Sequence, residues 1–210
     1  MNECKLSENN WTKVAVFAGG DRGHYRIDFD CFVGVDRGSL WVLEEKLPLA
    51  LAVGDFDSVT VEERQLIQKR ALRFVQAQPE KDDTDLELAL LAIFEQNPQA
   101  QVTIFGALGG RIDHMLANVF LPSNPKLAPY MRQIAIEDGQ NVISYCPEGT
   151  SRLKPRLDYD YLAFMPVRDS RLTIIGAKYE LTEENFFFKK VYASNEYIDR
   201  EVSVTCPDGY

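Results

Sequence analysis

Five apolar, β-branched runs recur in the first half of the chain, at residues 14–18, 32–35, 49–53, 72–75 and 102–105, and helical patterns follow at 40–45, 62–70, 85–95 and 113–121. Strand runs that alternate with helical patterns leave few folds open, because each helix must carry the chain back to start the next strand alongside the last. The expected architecture is an α/β domain with a mostly parallel sheet and helices on both faces.

The pattern then changes. Pro122-Ser123-Asn124-Pro125 breaks the last helix, and strand-like runs at 133–137 and 142–145 flank a turn signal at Asp138-Gly139. Short strand-like runs continue at 161–167, 172–177, 189–193 and 201–205. This half reads as a small antiparallel β-domain beginning near residues 140–150, so the expected division is 1–140 and 141–210. Pro207-Asp208-Gly209 is a further hairpin signal one residue before Tyr210, and it leaves two alternatives open, a missing final strand or a sandwich that closes differently.

Carboxylates cluster downstream of the strand runs. Asp36, then Asp55 and Asp57, then Asp82, Asp83 and Asp85, then Asp113 occupy these loops, which converge on one crevice if the strands are parallel. So many carboxylates together repel one another unless a divalent cation sits between them. In an extended segment Asp55 and Asp57 would point the same way and reach one Mg²⁺, although Gly and Asp are also ordinary turn residues. Asp82 and Asp85 stand three apart at a helix start, where Asp82 also has the makings of an N-cap. Gly109-Gly110 precede a helix whose free N–H groups attract phosphate, with Arg111 and Lys81 adding positive charge. His114 has at most a supporting role beside Asp113.

Composition excludes several classes. A net charge of −9 with no Lys/Arg stripe argues against a nucleic-acid partner. Residues 1–11 are polar and lack the form of a secretory signal, and no apolar run is long enough to cross a bilayer, so a soluble, cytoplasmic protein is expected. Cys4, Cys31, Cys146 and Cys206 are scattered without Cys-x-x-Cys spacing, the usage of structural thiols in a reducing compartment. With two His in the chain, Ser39 and Ser58 make a poor Ser-His-Asp site. Trp11, Trp41 and Phe186-Phe187-Phe188 read as packing residues.

Taken in order, Asp36-Arg37-Gly38, Gly54-Asp55-Phe56-Asp57-Ser58, Lys81-Asp82-Asp83-Thr84-Asp85, Gly109-Gly110-Arg111-Ile112-Asp113-His114 and Ser194-Asn195-Glu196 closely resemble the thiamine pyrophosphokinase family. The resemblance implies a Rossmann-like ATP domain followed by a β-sandwich, in a homodimer with thiamine bound at the subunit interface. It implies transfer of pyrophosphate from ATP to the thiamine hydroxyl, giving AMP and thiamine diphosphate. Carried over by motif, Asp55, Asp57 and Asp85 would hold Mg²⁺ and the phosphates, and Arg111 and Asp113 would join them in catalysis. Asp36, Arg37, Ser58, Lys81, Asp82, Thr84, Gly109 and Gly110 would shape the ATP site, and Ser194 and Asn195 would contact thiamine. Two other classes stay open on the residues alone: a nucleotide-sugar transferase using Asp55 and Asp57 as an Asp-x-Asp motif, and a nucleotide or thiamine sensor without turnover.

Overall fold

The computed structural model describes residues 11–78, 82–156, 158–166, 171–198 and 200–207. The chain divides into two compact units, Met1–Ser144 and Tyr145–Tyr210.

The first unit is built on one seven-stranded sheet. In chain order it holds β1 (Lys13–Phe17), β2 (Cys31–Val35), α1 (Gly38–Glu44), β3 (Leu49–Gly54), α2 (Val61–Arg70), β4 (Arg73–Gln76), α3 (Asp85–Gln96), β5 (Gln101–Phe105), α4 (Ile112–Val119), β6 (Ile134–Glu137) and β7 (Val142–Ser144). Spatial order is β4-β3-β2-β1-β5-β6-β7. All neighbours pair in parallel except β7, which returns antiparallel to β6. The strand order reverses between β1 and β5, and in such sheets the crevice for a ligand opens there, beyond the carboxyl ends of the strands.

Local chemistry accounts for the elements. β2 and β3 are buried at every position, which is why they read as continuous apolar runs without alternation. Capping boxes start two helices: Thr60 with Glu63 at α2 and Thr84 with Glu87 at α3, each hydroxyl accepting from the backbone three residues on while the Glu accepts in return. Two glycines let α1 lie directly on the sheet. A Cβ at Gly38 would stand 2.0 Å from the Phe17 carbonyl oxygen, and one at Gly34 would stand 2.3 Å from the Ser39 Cα. Phe17, Phe32, Leu49, Phe56, Ile67 and Phe105 fill the core beneath.

The β1–β2 crossover has no helix. Residues 18–30 form an irregular strap instead, held by a two-bond pairing of Arg26 with buried Glu137 at 2.9 and 3.2 Å and by Asp30, whose carboxylate accepts from the Thr12 and Lys13 amides. Helix α4 stops at Val119, short of the expected 121, because Leu121–Ser123 winds as a 3₁₀ turn around Pro122.

The second unit holds β8 (Gly149–Leu153), β9 (Leu162–Phe164), β10 (Thr173–Ile175), β11 (Tyr192–Asn195) and β12 (Val202–Cys206). They make a three-stranded sheet β10-β12-β8 and a two-stranded sheet β11-β9, both antiparallel. Phe164 and Tyr192 from the smaller sheet share one apolar cluster with Ile174, Val202, Val204 and Cys206 from the larger, the arrangement of a sandwich. Sequence patterning does not reveal β8, whose Gly-Thr-Ser-Arg-Leu run has only Ser151 buried. Lys81, Asp208 and Gly209 lie outside the described residues.

Candidate active site

Two strand ends and one helix start bring three carboxylates together. Asp36 follows β2, Asp55 follows β3 and Asp85 opens α3, and each offers an oxygen within 4.8 Å of the other two. All three are half-buried. Asp36 holds the centre: its N–H donates to the Val53 carbonyl at 2.9 Å, its carbonyl accepts from the Ser39 N–H at 3.0 Å, and Oδ1 accepts from the Phe56 N–H at 3.1 Å. Its left-handed backbone, φ 47°, is one an Asp tolerates better than most residues.

Phe56 also has a left-handed backbone, φ 59°, which is costly for a bulky side chain. Burial of its ring against Phe74, stacked at 4.7 Å, holds it there. The consequence is that Asp55-Phe56-Asp57 is a turn, not the extended segment that spacing alone implies, and the Asp57 N–H folds back to Asp55 Oδ1 at 3.1 Å. Asp57 is exposed and stands outside the three-carboxylate group, and Asp36 stands inside it. Left-handed geometry at residue 56 leaves little sequence signal, since Phe is not a residue that favours it.

Mutual repulsion is felt most at Asp36. Burial pushes the Asp36 carboxyl up to about 6; the charges of Asp85, Asp55 and Asp57 push the same way, and the Phe56 N–H opposes them in part. Three converging carboxylate oxygens, one of them reluctant to ionise, form a donor set suited to a hard divalent cation.

Around this centre the other expected residues take defined places. Thr84 caps α3 through its hydroxyl, in the place considered for Asp82, which is exposed. Asp83 is held by Asn124 at 3.0 Å and Lys126 at 2.6 Å; the Lys126 hydrogen bond, with Asn124 and the Lys126 charge behind it, keeps its carboxyl below the usual range. Arg37 reaches the Ser58 carbonyl at 3.3 Å and so ties the β2 loop to the β3 loop.

The third loop lies at the reversal of strand order. Gly106, Gly109 and Gly110 adopt positive φ values of 69°, 84° and 71°, and they lead into α4. Arg111 grips Asp113 through two bonds, Nε to Oδ1 at 3.2 Å and Nη2 to Oδ2 at 2.6 Å, on the exposed face. The guanidinium holds the Asp113 carboxyl below its usual range, and the backbone N–H of exposed His114 assists.

One feature went unread in the sequence. Gly19-Gly20 follows β1 beside the β5 loop, where the Gly20 N–H donates to the Gly106 carbonyl at 3.0 Å and a Cβ at Gly20 would stand 2.4 Å from that oxygen. Its signal was a glycine pair directly after a strand run. In the second unit, Ser194 is exposed with φ 60°, and Asn195 beside it is buried.

Comparison with known proteins accords with this geometry. Residues 24–130 match the family described as thiamin pyrophosphokinase, catalytic domain, and residues 150–210 match thiamin pyrophosphokinase, vitamin B1 binding domain. The thiamine pyrophosphokinase of Bacillus subtilis (strain 168) is 35% identical over 176 residues, 80% of this chain and 81% of that protein. Among solved structures, a thiamin pyrophosphokinase family protein from Enterococcus faecalis is 42% identical with a TM-score of 0.85, covering 94% of this chain and 95% of that one. The thiamine pyrophosphokinase structure from Bacillus subtilis is 32% identical with a TM-score of 0.78, at 94% and 95% coverage. The chain belongs to the thiamine pyrophosphokinase family.

Proposed function

We propose that Asp36, Asp55 and Asp85 hold the Mg²⁺ on which this enzyme's reaction depends. The activity is that of a thiamine pyrophosphokinase, an ATP-using transferase that makes thiamine diphosphate. The single observation behind the metal assignment is the approach of the three carboxylate oxygens to within 4.8 Å of one another. Asp57 adds its charge to the group, as its effect on Asp36 indicates, and serves as a further metal or phosphate ligand. When bound, Mg²⁺ would supply positive charge to the phosphates of ATP.

The chain's own groups do the rest. The thiamine hydroxyl oxygen attacks the β-phosphorus of ATP, the bond to the α-phosphate oxygen breaks, and AMP leaves. Charge that builds on the transferring oxygens is met by Arg111 and by amides of the Gly109-Gly110 loop, whose glycines both have positive φ. Arg37, Ser58, Lys81, Asp82 and Thr84 complete the ATP site, Thr84 by fixing the start of α3. Asp85 and Asp113 are the candidates to take the hydroxyl proton. Ser194 offers its hydroxyl to thiamine, and Asn195 serves by holding the chain beside it.

The working form is a homodimer with thiamine at the subunit interface, in the cytoplasm. Supporting the dimer, Ile112 and Leu116 lie one turn apart on α4 and are 69% and 44% exposed, an apolar stripe that water leaves unsatisfied. Among the described residues no helix is long and apolar enough to cross a membrane. The test of function is to incubate the chain with ATP, Mg²⁺ and thiamine and resolve the nucleotide products. Thiamine-dependent AMP is expected; ADP would mean attack at the γ-phosphorus and would contradict the reading.

A further inference from the structure

We propose that Asn124 is a positioning residue for the divalent cation: from the segment that follows α4 it fixes the start of α3, and with it the Asp85 carboxylate. This deepens, and rests on, the reading that Asp36, Asp55 and Asp85 hold the metal. One amide grips the chain on both sides of Asp85. Asn124 Nδ2 donates to Asp83 Oδ1 and to Glu87 Oε1, each at 3.0 Å, and these are the residues two before and two after Asp85.

The three carboxylates of the group differ in what holds them. Asp36 and Asp55 follow the paired strands β2 and β3, so the sheet itself sets their spacing. Asp85 arrives as the first residue of a helix, and a first turn frays unless its polar groups are satisfied. Asp83 and Glu87 make this harder, because like charges four residues apart at a helix start repel. The Asn124 amide places its donors between them, and the Lys126 ammonium adds a bond to Asp83 Oδ2 at 2.6 Å. The second oxygen of Glu87 accepts from the Thr84 N–H at 2.7 Å, while the Thr84 hydroxyl accepts from the Glu87 N–H at 3.2 Å. Through Glu87, the capping box that opens α3 is thus tied to Asn124.

The anchor is itself rigid. The Asn124 N–H donates to the Leu121 carbonyl at 3.1 Å, and its carbonyl accepts from the Leu127 and Ala128 N–H groups at 2.9 and 3.0 Å. Its side-chain Oδ1 accepts from the Lys126 N–H at 3.0 Å. Leu121, Pro122 and Leu127 on either side are buried. Earlier in the same stretch, Asn118 Nδ2 donates to the Ala107 carbonyl at 2.8 Å. One run of chain, 118–124, therefore holds both the β5 loop and the start of α3. Groups that orient a metal ligand from behind govern affinity for the ion without touching it.

Mn²⁺ binding to the full chain, followed by electron paramagnetic resonance beside thermal melts in chelator, tests this. Asn124→Ala should weaken Mn²⁺ binding at least roughly tenfold and raise in parallel the Mg²⁺ concentration needed for half-maximal turnover. KM for thiamine at saturating Mg²⁺ should stay near wild type. Asn97→Ala is the control: Asn97 caps the other end of α3, donating to the Trp11 carbonyl at 2.6 Å and accepting from the Gln99 N–H at 3.0 Å. That variant should lower the melting temperature and leave Mn²⁺ binding unchanged. Unchanged Mn²⁺ binding in Asn124→Ala, alongside a loss in Asp85→Asn, would overturn the role of Asn124 and leave the metal site standing. No loss in Asp85→Asn would overturn the metal reading and this inference with it. Equal losses in Asn124→Ala and Asn97→Ala would mean a general loosening of the fold and would also overturn the assignment. If Asn124→Ala does not fold, Lys126→Ala probes the same anchor. Mn²⁺ binding should then weaken roughly threefold, the scale of a partly exposed ion pair, and recover in Lys126→Arg; no change would overturn the proposal.

Discussion

Gly54 faces the carboxylate of Asp36 so closely that a Cβ there would stand 1.9 Å from Oδ1 and 2.7 Å from Cγ. The glycine at the end of β3 is thus a condition for the position of Asp36 at the end of β2. Gly54→Ala should displace the Asp36 carboxylate, lower stability by on the order of 2 kcal/mol, as overpacking does, and raise the Mg²⁺ concentration needed for half-maximal turnover. Denaturant melts and a Mg²⁺ titration of activity check both parts; an Ala variant with wild-type metal demand would mean that Asp36 does not ligate.

Asp36 also makes stability depend on pH. Its folded carboxyl sits at about 6, above the ordinary value, so the folded chain binds this proton more tightly than the unfolded chain does. The raised value therefore costs stability above about pH 6, and the cost disappears as pH falls below the unfolded value near 4. At pH 7.5 without divalent cation, Asp36→Asn should stabilise the chain by up to roughly 3 kcal/mol, and near pH 4 the difference should vanish. Urea unfolding at the two pH values in chelator measures it. A variant less stable than wild type at pH 7.5 would refute the strain.

Much of this site was legible in the sequence, and one part was not. Continuous apolar runs foretell β2 and β3 because parallel strands buried on both faces need no alternation, and each run ends where an aspartate-bearing loop begins. Asp36, Asp55 and Asp85 could be picked out as crevice residues for that reason. Which carboxylate oxygens lie within 4.8 Å of one another could not, because a left-handed Phe56 turns Asp57 away from an extended geometry, and that backbone is set by burial against Phe74, remote in sequence. In the second unit, β8 escaped because its inward position is a serine. Strand β11 begins later than patterning implies, at Tyr192, beyond the run expected from 189.

The pairing of Arg111 with Asp113 uses two parallel N–H donors in a fixed fork. Lysine keeps the charge but cannot reproduce the fork. Arg111→Lys should lower kcat roughly ten- to a hundredfold if the guanidinium meets the transferring phosphate oxygens, with melting temperature unchanged because the pair is exposed. Turnover within twofold of wild type would remove Arg111 from the reaction.

The metal assignment is tested most directly by Mn²⁺ binding, followed by electron paramagnetic resonance, in wild type and in the four variants Asp36→Asn, Asp55→Asn, Asp85→Asn and Asp57→Asn. The account predicts a site in the wild type that is weakened at least roughly tenfold by each of the first three changes and less by the fourth. Retention of the site in Asp36→Asn together with its loss in Asp57→Asn would contradict it.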